Sequence, residues 1–160
     1  MTSVLRGLSE TVLSRTIQES PWLFPELEIV HILGFVTLVG VTSALDLRLL
    51  GFWLQQKPVS LLAKGLLKWA CAGFAVMVVT GGLLFVSNPM RFYYNIAFRY
   101  KMLGVLLVGI NALVFHIMPY RSVGQWDNNA TTPFGAKLAG VCSILLWFGI
   151  ATAGRWIAFV

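Results

Sequence analysis

Residues 69–90, WACAGFAVMVVTGGLLFVSNPM, run between Lys68 and Arg91 without one charged side chain. A hydrocarbon core about 30 Å thick is crossed by roughly 20 helical residues rising about 1.5 Å each. The stretch is long enough to do this. Residues 29–45 lie between Glu28 and Asp46, 102–120 between Lys101 and Arg121, and 138–154 between Lys137 and Arg155, and these runs are likewise free of charge. The shorter two reach the required length because long flanking side chains can snorkel to the headgroups. Nothing alternates apolar and polar over about ten positions, as a transmembrane strand would. The fold expected is an all-α membrane protein, four transmembrane helices in a bundle, with spans at about 25–50, 67–88, 100–119 and 136–157.

Composition agrees. The 160 residues are 58% hydrophobic and 11% charged, with mean hydropathy +0.79. A soluble globular domain carries about 25% charged residues. The net charge of +6 is explained by loops meeting anionic headgroups, and no nucleic-acid motif is present. A multi-pass protein of the bacterial inner (cytoplasmic) membrane is the expected class.

Residues 1–20 differ from the rest. Arg6, Glu10, Arg15 and Glu19 interrupt them, while Val4, Leu5, Leu8, Val12 and Leu13 recur at helical spacing. This predicts an N-terminal amphipathic interfacial helix over 1–20 ahead of a transmembrane domain over 21–160. It lacks the apolar core and cleavage site of a signal peptide, so the N-terminus is expected to be kept. Pro21 and Pro25 place the start of the first span between them, and Glu26 and Glu28 suit the positive end of its dipole. Between the second and third spans, residues 87–101 carry Phe92, Tyr93, Tyr94, Phe98 and Tyr100, which favour the membrane interface. The last connection, 119–137, with Trp126, Asp127, Asn128, Asn129 and Pro133, is the most loop-like.

The basic residues divide equally between the two faces, so the positive-inside count is tied. Dilution by Glu10, Glu19, Glu26 and Glu28 points to an extracytoplasmic N-terminus. Cys71 and Cys142 fall inside spans, without CxxC spacing, and read as small packing residues. Gly40-xxx-Ala44, Ala136-xxx-Gly140 and Ala139-xxx-Ser143 offer close-approach faces.

Intramembrane polar residues carry what functional signal there is, because an ionisable group in a span is costly and faces the bundle or a cavity. The two histidines, His31 and His116, both lie in spans. Glu28 precedes His31 by three residues, so the two share a helix face and the carboxylate could orient the imidazole. One reading makes the histidines haem or metal ligands. The other makes them neutral imidazoles bonded inside the bundle, and the residues leave both open. The first and third spans run in the same direction, with His31 near the start of one and His116 near the end of the other. Each sits about six residues from its midplane in opposite senses, roughly 18 Å apart along the membrane normal. One haem cannot then be held by both within a monomer. Met102 lies near the depth of His31, Cys142 and Cys71 near that of His116, and His/Met and thiolate pairs are known haem ligand sets.

Asp46 is expected to pair with Arg48, Lys137 or Arg121. Asn111 and Thr80 read as interhelical hydrogen-bonding residues, with quinone contact as the alternative, and Arg155 with Trp156 as an interfacial anchor. No HExxH, P-loop, GxSxG or GxGxxG constellation is present, so soluble-type catalysis is not expected.

Trp22-Leu-Phe-Pro with Glu28-xx-His31, Asp46-Leu-Arg-Leu-Leu-Gly51, Thr80-Gly81, Asn95-xx-Phe-Arg-xx-Met102, Asn111-xxx-Phe-His116 and Gly154-Arg-Trp-Ile-Ala158 are spread over nearly the whole chain. Together they resemble a family of small bacterial four-helix membrane proteins classed as a domain of unknown function. The resemblance implies the fold and no activity. Two functions follow as expectations. One is an accessory subunit within a larger, electron-transfer-related membrane complex, through self-association or other membrane subunits. The other is a b-type haem protein exchanging electrons with the quinone pool through His31 or His116. Copper handling through His31, Glu28 and nearby methionines ranks below both, since no Met or Cys cluster exists.

Overall fold

A computed structural model describes residues 2–127 and 131–160; Met1, Asn128, Asn129 and Ala130 lie outside it. The architecture is all-α among the described residues. Four helices are long and apolar enough to cross a membrane: α3 (Leu23–Leu50), α4 (Val59–Ser87), α6 (Ile96–Ile117) and α7 (Phe134–Trp156). The protein is a multi-pass membrane protein. The 28 and 29 residues of α3 and α4 span about 42 Å, longer than the hydrocarbon core, so this pair must tilt or project from it.

Two short helices, α1 (Thr2–Ser9) and α2 (Val12–Glu19), replace the single N-terminal helix expected. Hydroxyls make the break. Thr11 caps α2 by accepting from the Ser14 N–H at 3.2 Å, while the Ser9 and Thr11 hydroxyls donate to the carbonyls of Arg6 and Leu8. Such short side chains compete with helical bonding and favour caps. The buried residues Leu5, Ser14 and Ile17 turn inward. The Ser14 hydroxyl and the Gln18 amide donate to the Ser87 carbonyl, which ties α2 to the end of α4.

Helix α3 begins between the two prolines and ends at Gly51, whose left-handed φ of 83° lets its N–H meet the Arg48 carbonyl while Phe52 reaches that of Leu47. This is the glycine-terminated cap that satisfies the last carbonyls of a helix. The connection 87–101 forms α5 (Pro89–Tyr94), after which Asn95 caps α6 by accepting from the Phe98 N–H at 2.9 Å. Phe85, Phe92 and Phe98 cluster there with ring centroids 5.5–6.4 Å apart, Phe85 stacked on Phe98. A 3₁₀ helix (Tyr120–Gln125) follows α6 and leads to the buried Trp126.

Packing places α3 in the middle, against α4 and α7, with α6 on the far side of α7. Helices α4 and α6 make no comparable approach along their lengths and meet through Phe85 and Phe98 at the N-terminal face. The α3–α4 crossing is closest at Gly34 and Gly73. A Cβ on Gly34 would fall 2.8 Å from Val76, and one on Gly73 would fall 3.0 Å from the Leu38 nitrogen. At the α3–α7 crossing a Cβ on Gly140 would lie 3.3 Å from the Asp46 carbonyl. Helices in lipid gain their contacts through such small residues. Gly40, by contrast, has open space around it. Leu38, Trp147 and Ile150 fill the middle of the bundle, and Leu49, Val59, Phe115, Trp126 and Ala136 its other end.

That other end is also fastened by polar groups. Arg48, 1% exposed, donates from Nε to the Lys57 carbonyl at 2.9 Å. Asp127 accepts from the Ser60 N–H at 2.8 Å and from its hydroxyl at 2.5 Å, which caps α4 from 67 residues away. Partial burial raises the Asp127 carboxyl, but the bonds from Ser60 and Val59 and the charge of Arg48 outweigh it and hold it below the usual carboxylate range.

Candidate functional site

The polar groups inside the bundle gather around His31. Helix α3 supplies the imidazole, α4 supplies Thr80 and Gly81, α6 supplies Lys101, and α7 brings Gly154 alongside. The Thr80 Oγ1 lies 2.6 Å from the Val76 carbonyl, its own helix's i−4 acceptor, and 2.8 Å from His31 Nδ1. Its single proton goes to Val76, since a carbonyl only accepts, so Thr80 must accept from Nδ1–H. Nε2 is then the unprotonated nitrogen, and the Lys101 ammonium donates to it at 3.2 Å. Geometry thus assigns one tautomer and occupies both ring nitrogens. Gly81 makes room for the ring: a Cβ there would meet His31 Cε1 at 3.1 Å.

Both charge and depth follow from this chain of bonds. Lys101 enters α6 five residues after its start, about 7.5 Å inside at 1.5 Å per residue. A lysine at that position ordinarily snorkels outward, and here the His31 acceptor draws it between the helices. Level 31 on α3 therefore matches level 101 on α6. His116, fifteen residues further along α6, lies about 22 Å deeper toward the opposite face, the same sense of separation that the sequence implies.

The other candidate residues are dispersed. His116 is exposed, its Nδ1 3.0 Å from the Ala112 carbonyl of its own helix and its ring 5.2 Å from Tyr120. Met102, adjacent to Lys101, is 43% exposed. Glu28 is exposed, and the partner that orients His31 is Thr80 instead. Asn111 donates to the Ala139 carbonyl at 2.9 Å and so joins α6 to α7. Arg155 lies over the Phe159 ring at 5.0 Å. Asp46, 7% exposed, bonds Ser143 rather than a cation, and among the described residues its Oδ2, Arg48 Nη2 and Trp147 Nε1 have no hydrogen-bond partner. Asp46 misses Arg48 because residues two apart point to opposite sides of a helix. Cys71 is exposed and Cys142 half-buried, both free. Among the described residues no group of three or more His, Cys, Asp or Glu comes together. Two shallow surface grooves, along 54–57 and between Gln18, Phe24, Ser87, Asn88, Arg91 and Phe92, lie apart from His31.

Lys101 is the member that the sequence concealed. Its charge marks the edge of an apolar run and reads there as a boundary; its place inside α6, after the Asn95 cap, was the available signal.

The model of a family of unknown function, DUF6644, matches residues 26–160, and the chain belongs to that family. No curated protein and no solved structure matches it.

Proposed function

We propose that this DUF6644 member is a small accessory subunit of a larger, electron-transfer-related complex in the bacterial inner membrane, with both histidines in structural roles. The observation that supports this reading is the engagement of both His31 ring nitrogens, Nδ1 with Thr80 and Nε2 with Lys101. A haem ligand needs one nitrogen free. His116 sits on the outer face of α6 with Nδ1 turned to its own helix. The lipid-facing sides of α6 and α7, with Leu103, Leu106, Leu113, Leu145 and Phe148 exposed, are of the kind that other membrane helices cover.

The test is native electrophoresis of the tagged chain, at its natural expression level, after mild-detergent solubilisation and in-membrane crosslinking. The expected result is migration well above 17.7 kDa, with the same membrane subunits recovered in fixed ratio. Migration as a single chain, with no crosslinked product, would sink the subunit reading.

One observation favours the second reading. The Thr80 bond holds Nδ1 and aims Nε2 between the helices, the orientation in which a second partner presets a ligating imidazole. If Lys101 swung aside, Nε2 would be the iron-binding atom of a b-type haem.

A further inference from the structure

The two ends of the bundle carry equal numbers of basic residues but unequal charge. At the N-terminal face the exposed Arg6, Arg15, Arg91, Arg99 and Arg155 stand among Glu10, Glu19, Glu26 and Glu28, which are also exposed. The opposite face has two carboxylates, and both are committed. Asp46 is turned inward to Ser143, while Asp127 is held by Ser60 and faces the charge of the buried Arg48. Lys57, Lys64, Lys68, Arg121 and Lys137 are exposed there, and no carboxylate among the described residues is left to neutralise them.

These cations share a level. Leu49 of α3, Val59 of α4, Phe115 of α6 and Ala136 of α7 pack in one cluster, which fixes the ends of the four spans at one depth. Lys57 stands just outside Val59, Lys137 follows Ala136, and Arg121 lies between Tyr120 and Val123, both packed against the cluster. Lys64 is about 7.5 Å along α4 from Val59 at 1.5 Å per residue, and Lys68 lies one turn deeper on the same helix face. Side chains on a helix lean toward its N-terminus, and the N-terminus of α4 is at this end, so both lysines snorkel outward to the level of the others.

We infer that Lys57, Lys64, Lys68, Arg121 and Lys137 form a collar that binds the anionic headgroups of the bilayer leaflet at this face. Two features select lipid over an acidic protein segment. First, the cations come from four segments, the α3–α4 connection, α4, the 3₁₀ helix and α7, and ring the spans at one depth instead of crowning a single tip. Second, apolar side chains reach beyond them on the same flank. Leu61, one turn outward of Lys64, is exposed, as are Phe52 and Trp53 after the end of α3, and aromatic residues at this level favour the headgroup region. Basic clusters of about four to eight residues beside a span recognise anionic lipid in this way.

This surface is independent of the subunit reading, because it is tested on the isolated full-length chain. The delipidated protein in mild detergent is loaded with equal phosphatidylglycerol and phosphatidylcholine, and the lipid retained after washing at low and at high salt is quantified. Phosphatidylglycerol should be retained in preference, and the preference should weaken with salt, which screens exposed charges. The pair Lys64→Gln and Lys137→Gln should lower it about fivefold or more, the effect of one basic residue at an anionic surface being about fivefold. The pair Arg6→Gln and Arg15→Gln removes the same charge from the N-terminal face and should leave it unchanged. All four side chains are exposed, so both variants should keep the melting temperature of the lipid-free protein. A soluble polyglutamate peptide should not displace the lipid. Equal retention of the two lipids, a preference indifferent to salt, an equal loss in the two paired variants, or displacement by polyglutamate would overturn the proposal, the last by assigning the collar to an acidic protein partner.

Discussion

Thr80, His31 and Lys101 show how one buried hydroxyl can settle the state of a whole site. Because the Thr80 proton is committed to the Val76 carbonyl, the imidazole has one tautomer and one role for each nitrogen. Interhelical hydrogen bonds in membranes contribute about 0.6 kcal/mol on average, rising to about 1.7. Thr80→Val keeps the shape but strands Nδ1–H, and should lower bundle stability by roughly 1 kcal/mol in detergent. Thr80→Ser should restore it, and a melting series of the two variants checks this. Of these residues, His31 and Thr80 were legible in the sequence as intramembrane polar groups, but their pairing was not. They lie 49 residues apart, whereas Glu28 offered a partner one turn away. Local spacing favours such neighbours, and only the packing of α3 on α4 reveals the distant one. Met102 shares the depth of His31, as read from the sequence, yet faces outward because it follows Lys101 by one position on the helix.

Elements were easier to read than residues. Uninterrupted apolar runs and the prolines before the first of them sufficed to locate α3, α4, α6 and α7, since a span's length is dictated by the bilayer. Contact faces were harder, because any apolar helix offers several small residues. Gly40 was a candidate and touches nothing, while Gly34 and Gly73 carry the α3–α4 crossing. Gly73→Leu should destabilise the bundle by roughly 1–3 kcal/mol through overpacking, whereas Gly40→Leu should be tolerated, as detergent melting curves of both variants will report. The break between α1 and α2 escaped a periodicity argument because the apolar spacing runs on through Thr11. At the opposite face, Asp127 fastens α4 through Ser60. Its carboxyl is held below the usual range, so the stability it contributes is present above the unfolded-state value near 3.9 and fades as acidification passes the lower folded value. Asp127→Asn should therefore lower the melting temperature at neutral pH and flatten the acid limb of a stability profile. Equal acid limbs in the two proteins would remove Asp127 from that role.

At the scale of the whole molecule, the bundle keeps its polar chemistry at separate depths: His31, Thr80 and Lys101 toward the N-terminal face, and Asp46, Arg48, Asp127 and His116 toward the other. The depth of each histidine followed from span positions alone, and the His31–Lys101 contact gives the register independently. The lateral order of the helices, α4, α3, α7, α6, was not legible, because hydropathy reports depth and says nothing about which helix stands beside which. That order brings Lys101 to His31 and leaves one side open.

The central claim is that His31 is committed to the protein's own hydrogen bonds. Its most direct test is the pair of oxidised and dithionite-reduced absorption spectra of the full chain, expressed with ample haem and purified in mild detergent, with a pyridine haemochrome assay for stoichiometry. The account predicts a folded, colourless protein. A sharp reduced α-band at one haem per chain, lost in His31→Ala and kept in His116→Ala, would contradict it and make Nε2 an iron ligand.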